Sequence, residues 1–159
     1  MDKPLVLDTD AEGSGGLGAV LCDGASAEWI SCSTPSSFAE ALMPRKTQIY
    51  PLEVLAAAVA LRVWRRRLAH RHLVLFVDNT SALSSLRRGS SRQVDVHSLI
   101  TQVWDDLYDS GFYGIRVLWV PSKLNLADSP SRSLTPATGS RIAARIRWET
   151  LIAAVSVRL

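Results

Sequence analysis

Two short stretches of unbroken apolar residues, each ending in a carboxylate, restrict this chain more than any other feature. Residues 5–7 (LVL) lead into Asp8 and Asp10, and residues 73–77 (LVLFV) lead into Asp78. A strand that is apolar on both faces must be covered on both sides, as in the centre of an α/β sheet. Between the two, over residues 50–69, apolar residues recur at helical spacing; Pro51 suits a first helical turn and the alanines at 56–58 favour helix. Strand, helix and strand in that order lay the two strands parallel. Their carboxylates then become neighbours in the crevice where open α/β sheets place their sites.

The remaining elements follow from turns and changes of period. A first strand over 4–9 is followed by glycines at 13, 15, 16 and 18, and residues 18–23 run back as a second strand. Asp23-Gly24 signals a hairpin, and residues 27–33, with Trp29 and Ile30, form a third strand. A polar loop spans 34–46. Short helices are predicted over 79–87 and 95–109, a fifth strand over 115–120, a joint over 135–139 and a final amphipathic helix over 141–157. The order β-β-β-α-β-α-α-β-α predicts an α/β fold with a mixed five-stranded sheet, three antiparallel strands and then two parallel ones, flanked by helices. The expected division is a main domain over residues 1–134 and a C-terminal helical segment over 135–159 that packs on or extends it.

Composition narrows the class. With 47% apolar and 21% charged residues in 159, the chain is that of one globular domain, not of a disordered polymer. Lys and Arg total 18 against 15 acids, a net charge of +3. Of those cations 15 are arginine, whose planar fork suits phosphate. Cys22 and Cys32 show neither zinc-ligand spacing nor a disulfide framework and read as free thiols in a reducing compartment. Acids near the N-terminus leave no room for a signal peptide, and the longest apolar run, 54–61, is far short of the roughly 20 residues that span a bilayer. The expectation is an intracellular protein, cytoplasmic or nuclear, monomeric and without a membrane partner. Met1 stands only a few residues before the first strand, as in a domain taken from a longer chain.

Four acids fall at one end of the predicted sheet. Asp10 and Asp78 end two strands, Glu53 lies in the first turn of the long helix, and Asp128 follows the fifth strand in LNLADSPSR. Singly, each has an ordinary structural explanation, as a turn residue, a helix cap or a favourable charge on a helix dipole. Together they would repel one another unless cations neutralise them. Oxygen ligands in this number suit Mg²⁺ or Mn²⁺ and not zinc. Two such ions about 4 Å apart can activate water and stabilise a leaving alkoxide in phosphodiester cleavage.

At these residues the sequence resembles the ribonuclease H domain of retroelement polyproteins, which follows the reverse transcriptase. LVLDTDAE is similar to the family's opening strand, YPLEVLAAAVAL to its acid-bearing helix, and VDNTSAL to its third motif. WVPSKLNLADSPSR is close to the terminal motif of long-terminal-repeat and tyrosine-recombinase retroelements, the most specific of the four. The resemblance covers roughly residues 4–134 and implies a ribonuclease H-like fold. It also implies Asp10, Glu53, Asp78 and Asp128 as catalytic metal ligands. Asp10 would bridge two Mg²⁺ ions, with Mn²⁺ as a substitute. Asp128 would hold the ion that carries the attacking water. Glu53 and Asp78 would hold the ion on the leaving-group side, with Glu53 near the ribose 2′-hydroxyl. The implied reaction is cleavage of the RNA strand of an RNA–DNA hybrid, leaving a 3′-hydroxyl and a 5′-phosphate. The implied partners are that hybrid and the reverse transcriptase domain of the same polyprotein.

The sequence also departs from the family. Its loop before the last acid, VPSKLN, has no histidine, and GSSRQVDV is too short for the inserted basic helix with which some members grip substrate. Arg87, Arg88 and Arg92 are candidates for phosphate contact, and Asn79, Ser81 and Asn125 for hydrogen bonds to sugar or phosphate. Asn79 reads equally well as a helix cap. Arg65, Arg66, Arg67 and Arg71 suit the end of the long helix, where cations complement the dipole. Trp119 is expected to pack on the sheet. Two competing readings stand beside an active ribonuclease H. One is an inactive scaffold or nucleic-acid-binding module on the same fold, which four intact acids oppose. The other is a different enzyme on the same fold: a recombinase, against which Glu53 discriminates, or an exonuclease, whose usual D-x-E opening strand is here Asp8-Thr9-Asp10.

Overall fold

A computed structural model describes residues 2–156 of the chain. Its sheet is built from β1 (Leu5–Ala11), β2 (Gly16–Asp23), β3 (Ser26–Ser33), β4 (His72–Val77), β5 (Gly114–Trp119) and β6 (Ser140–Arg141) in the order β5-β4-β1-β2-β3-β6. β1, β2 and β3 form an antiparallel meander, and β4 and β5 add to β1 in parallel. The predicted mixed sheet is therefore present, with six strands instead of five. The sixth comes just after the expected joint, at the start of the expected final helix, where Ser140 and Arg141 pair in parallel with Glu28 and Trp29 of β3.

The helices are α1 (Ser36–Ala41), α2 (Ile49–Val63), α3 (Arg65–Leu68), α4 (Thr80–Arg88), α5 (Val94–Ser110), α6 (Asp128–Ser131) and α7 (Trp148–Val155). α2 is buried without interruption from Pro51 to Leu61, lying between the sheet and α5, which explains a sequence with no polar stripe. The single long helix expected over 50–69 is broken at Trp64. Its ring is buried, its backbone leaves helical geometry (φ −101°, ψ 20°), and its indole N–H donates to Glu28. The loop expected over 34–46 contains α1, whose buried Phe38 meets Trp148 of α7 edge to face at 6.5 Å.

The C-terminal helix is the largest departure. Over 141–147 the backbone is extended, with Ile142, Ala144 and Ile146 turned to the core and Arg141, Ala143, Arg145 and Arg147 exposed. That alternation has a period of two, so helix begins only at Trp148; Val157, the expected end, lies outside the described residues. Cys22 and Cys32 are free thiols at opposite ends of the β2–β3 ladder, Cys22 beside Ala27 and Cys32 beside Leu17. None of the described helices is long and apolar enough to cross a membrane.

The layer that positions the site is α6. It rests directly on β2, where a Cβ on Gly18 would lie 2.3 Å from the nitrogen of Ser131 and 2.8 Å from the oxygen of Ala127. Only glycine allows that approach. Gly18→Ala should therefore destabilise the protein by about 1–3 kcal/mol through overpacking. Gly13→Ala, where nothing lies within 4 Å, should change stability by less than about 0.5 kcal/mol. Denaturant unfolding of the two variants is the check, and equal effects would contradict the seat.

Candidate active site

The parallel register of β1 and β4, with Asp8 beside Phe76, carries Asp10 and Asp78 to one edge of the sheet. α2 starts over that edge, so Glu53 reaches the end of β1 and its Oε1 accepts the N–H of Ala11 at 3.2 Å. One carboxylate oxygen from each of Asp10, Glu53 and Asp78 lies within 4.8 Å of the others. Asp128, the first residue of α6, lines the same crevice of about 380 Å³ but stands outside that trio. Its Oδ1 accepts from the Arg132 guanidinium at 3.3 Å.

Asp10 and Glu53 are 5% and 2% exposed. Burial lifts the pKa of Glu53 far above the carboxylate range, and its hydrogen bond to Asp10 and the charges of Asp10 and Asp78 lift it further. Burial also raises Asp10; hydrogen bonds from Glu53 and Ser131 oppose this, while the charges of Asp78 and Asp128 add to it. Without a cation the pair resolves its repulsion by sharing a proton. Glu53 Oε2 is buried with no hydrogen-bond partner. An unsatisfied carboxylate oxygen facing two further acids is a donor set for a hard divalent ion, Mg²⁺ or Mn²⁺, so these residues fit such a metal.

The segment 125–131 ties the acids together. Asn125 is buried; its Nδ2 donates to the carbonyl of Thr9 at 3.0 Å and to Asp78 Oδ2 at 3.4 Å, and its Oδ1 accepts the N–H of Ala127. Ser131 Oγ lies 3.1 Å from Asp10 Oδ2, as donor to it, and 2.7 Å from the carbonyl of Asp128. Asp8 Oδ2 accepts the N–H of Leu126 at 3.2 Å, and burial pushes the Asp8 carboxyl up to about 6. Sequence reasoning gave no role to Ser131 and did not read Gly18 as the seat of α6. The available signal was a serine three positions after Asp128 and the alternate glycines 16 and 18.

The other candidates are placed differently. Asn79 Oδ1 accepts the N–H of Ala82 and caps α4, while Asn79 also borders the crevice. Ser81 and Arg88 are exposed and line an adjoining cleft of about 340 Å³ with Tyr50, Ser84 and Arg92. Arg87 turns away, its Nε donating to the carbonyl of Val117 in β5 at 2.7 Å. Arg67 and Arg71 pair with Asp23 and, for Arg67, Glu28, holding α3 and its following turn to the β2–β3 hairpin. Trp119 is 51% exposed, with its indole N–H on the carbonyl of Asp78.

Folding raises the pKa values of Asp8, Asp10 and Glu53. Their contribution to stability is complete below the unfolded values near 4 and is lost as pH rises through the folded ones, about 6 for Asp8 and higher for Glu53. The move of Asp8 from 3.8 to about 6 alone corresponds to on the order of 3 kcal/mol. The ion-paired Asp23 and Asp95, whose pKa values are lowered, act below this interval. Melting temperatures in EDTA should fall as the pH is raised from about 4 to about 7, and Glu53→Gln should flatten the fall. A flat or rising profile for the unsubstituted chain would contradict the assignment.

No known protein family matches the chain by sequence, and no curated protein does. Solved structures do match in shape. The N-terminal RNase H domain of a Mycobacterium tuberculosis protein, solved as a fusion with maltose-binding protein, superposes with a TM-score of 0.57 at 18% identity, covering 82% of this chain and 94% of that one. RNase H1 from the halophilic archaeon Halobacterium salinarum superposes at 0.55 and 17% identity, covering 81% and 96%. With its sheet order, flanking helices and acid-lined edge, the chain has the ribonuclease H-like fold.

Proposed function

We propose that this protein is a metal-dependent ribonuclease H that hydrolyses the RNA strand of RNA–DNA hybrids, leaving a 3′-hydroxyl and a 5′-phosphate. The observation that carries the reading is the meeting of Asp10, Glu53 and Asp78, from three separate elements, within 4.8 Å. A buried cluster of like charges is too costly to serve stability, and it marks a site that gains a cation. The same residues form three of the four motifs that resemble retroelement ribonuclease H, and Asp128 in the fourth borders the same crevice.

In this reading Asp10, Glu53, Asp78 and Asp128 hold two Mg²⁺ ions, with Mn²⁺ as a substitute. Bound there, the ions supply the Lewis acidity that makes water nucleophilic at neutral pH and neutralises charge on the leaving oxygen. The chain's own part is positioning. Ser131 fixes the Asp10 carboxylate, Asn125 fixes Asp78, and Asp8 fixes the loop that presents Asp128. Asn79, at the crevice, and Ser81 and Arg88, in the adjoining cleft, are placed for sugar and phosphate. Arg87 and Asn125 are each anchored by an internal hydrogen bond, to the carbonyls of Val117 and Thr9. Residues 1–134 form the catalytic part and 135–159 brace it. WVPSKLNLADSPSR supports an origin beside a reverse transcriptase in a retroelement polyprotein.

Incubation of labelled RNA–DNA hybrid, duplex RNA and duplex DNA with Mg²⁺ or Mn²⁺ tests the proposal. Only the RNA of the hybrid should be cut. Asp78→Asn should lower the rate by more than about 100-fold, the most that loss of a metal ligand's hydrogen-bond partner usually costs. Ser131→Ala, which removes such a partner, should lower it by about 10–100-fold at limiting metal and recover in part at high Mn²⁺. Equal cutting of duplex DNA would indicate another nuclease on this fold, and no cutting with either metal an inactive module.

A further inference from the structure

A second feature, remote from the carboxylates, concentrates the opposite charge. The extended strap 141–147 turns its apolar residues inward and presents Arg145 and Arg147 to solvent. Facing them across a cleft of about 380 Å³ are Arg62, near the end of α2, and Arg65, the first residue of α3. Asp106 is the one acid lining the cleft, and it is taken by Arg62 Nε at 2.8 Å. Arg62 is further fixed by donating to Thr150 Oγ1 and the carbonyl of Arg147, so it forms a wall. Arg65, Arg145 and Arg147 have no acidic partner within ion-pair distance among the described residues.

Helix stability does not account for this placement. Arg62 suits the C-terminal end of α2, but Arg145 and Arg147 stand before the first turn of α7, where a helix dipole disfavours cations. All four cations are arginine, whose fork matches phosphate oxygens. On extended backbone, Arg145 and Arg147 repeat about every 6.6 Å, so the charge is a row and not a point. The strap's large apolar side chains face the core, leaving none to enter a lipid surface.

We infer that this cleft binds the phosphodiester backbone of a nucleic acid at a second site, separate from the acidic crevice. Arg62 follows Glu53 by nine residues on α2, about 13.5 Å along the helix axis. The site provides the grip that the short segment GSSRQVDV between α4 and α5 lacks. It reads backbone charge without base sequence, and it stands whether or not the acidic crevice cleaves RNA.

The test is fluorescence anisotropy of the full chain with a labelled RNA–DNA hybrid in EDTA, across a salt series. Arg145→Gln with Arg147→Gln should weaken binding and lower the slope of log affinity against log salt by about 2, one for each cation removed. The double lysine variant should keep most of the slope. Arg116→Gln with Lys3→Gln, both exposed and away from the cleft, should leave affinity nearly unchanged. An unaltered slope in the glutamine variant overturns the inference, as does an equal loss in the Arg116 and Lys3 control. Polyglutamate that binds as tightly as the hybrid, with the same dependence on Arg145 and Arg147, overturns it in favour of an acidic protein partner. All three arms are binding measurements, so absence of cleavage would count against the crevice and not against this cleft.

Discussion

Like charge gathered at the end of β1 is the constraint around which this molecule is arranged. Two buried carboxylates, Asp10 and Glu53, face each other with Asp78 beside them. Among the described residues no cation forms an ion pair with the trio; Arg132, which lines the same crevice, is engaged with Asp128. The fold answers this repulsion with neutral donors: the N–H of Ala11 on Glu53, the hydroxyl of Ser131 on Asp10 and the amide of Asn125 on Asp78. Each orients its carboxyl group without bringing a positive charge to it. A structural ion pair would have taken the place that a metal ion needs.

The elements that deliver these groups were largely legible in the sequence. The apolar runs at 5–7 and 73–77 and the helical period between them predict that Asp10, Asp78 and Glu53 fall at one end of the sheet. Where sequence reasoning fell short, a tertiary contact had decided the local conformation. Trp64 interrupts a helix because its indole has a partner on β3, and Phe38 organises α1 against α7. The strap 141–147 carries residues compatible with helix, but the core takes alternate side chains from it and so fixes an extended backbone. The partners of Asp8 and Ser131 could not be read at all, because each contact joins positions more than a hundred residues apart.

Charge is sorted by region. Acids line the crevice at one end of the sheet, and Arg67 of α3 and Arg71 of its following turn are consumed locally by Asp23 and Glu28. Asp95, wholly buried, is matched by Arg45 and by the N–H groups of Met43 and Val96, which pins the approach to α2 beside the site. What is left unpaired therefore carries information. Arg65, Arg145 and Arg147 belong to that remainder, as do the exposed Arg88 and Arg92 beside the crevice.

The seating of α6 on Gly18 has a consequence for the order in which the protein matures. The hydrogen bonds from Asn125 to Thr9, from Leu126 to Asp8 and from Ser131 to Asp10 span 116, 118 and 121 positions. Contacts with so large a loop to close form late. A nascent chain can therefore assemble its meander, α2 and β4 while the crevice is still slack, and the acids acquire their orientation only once residue 131 has emerged. The geometry of the crevice is therefore among the last features of the fold to set.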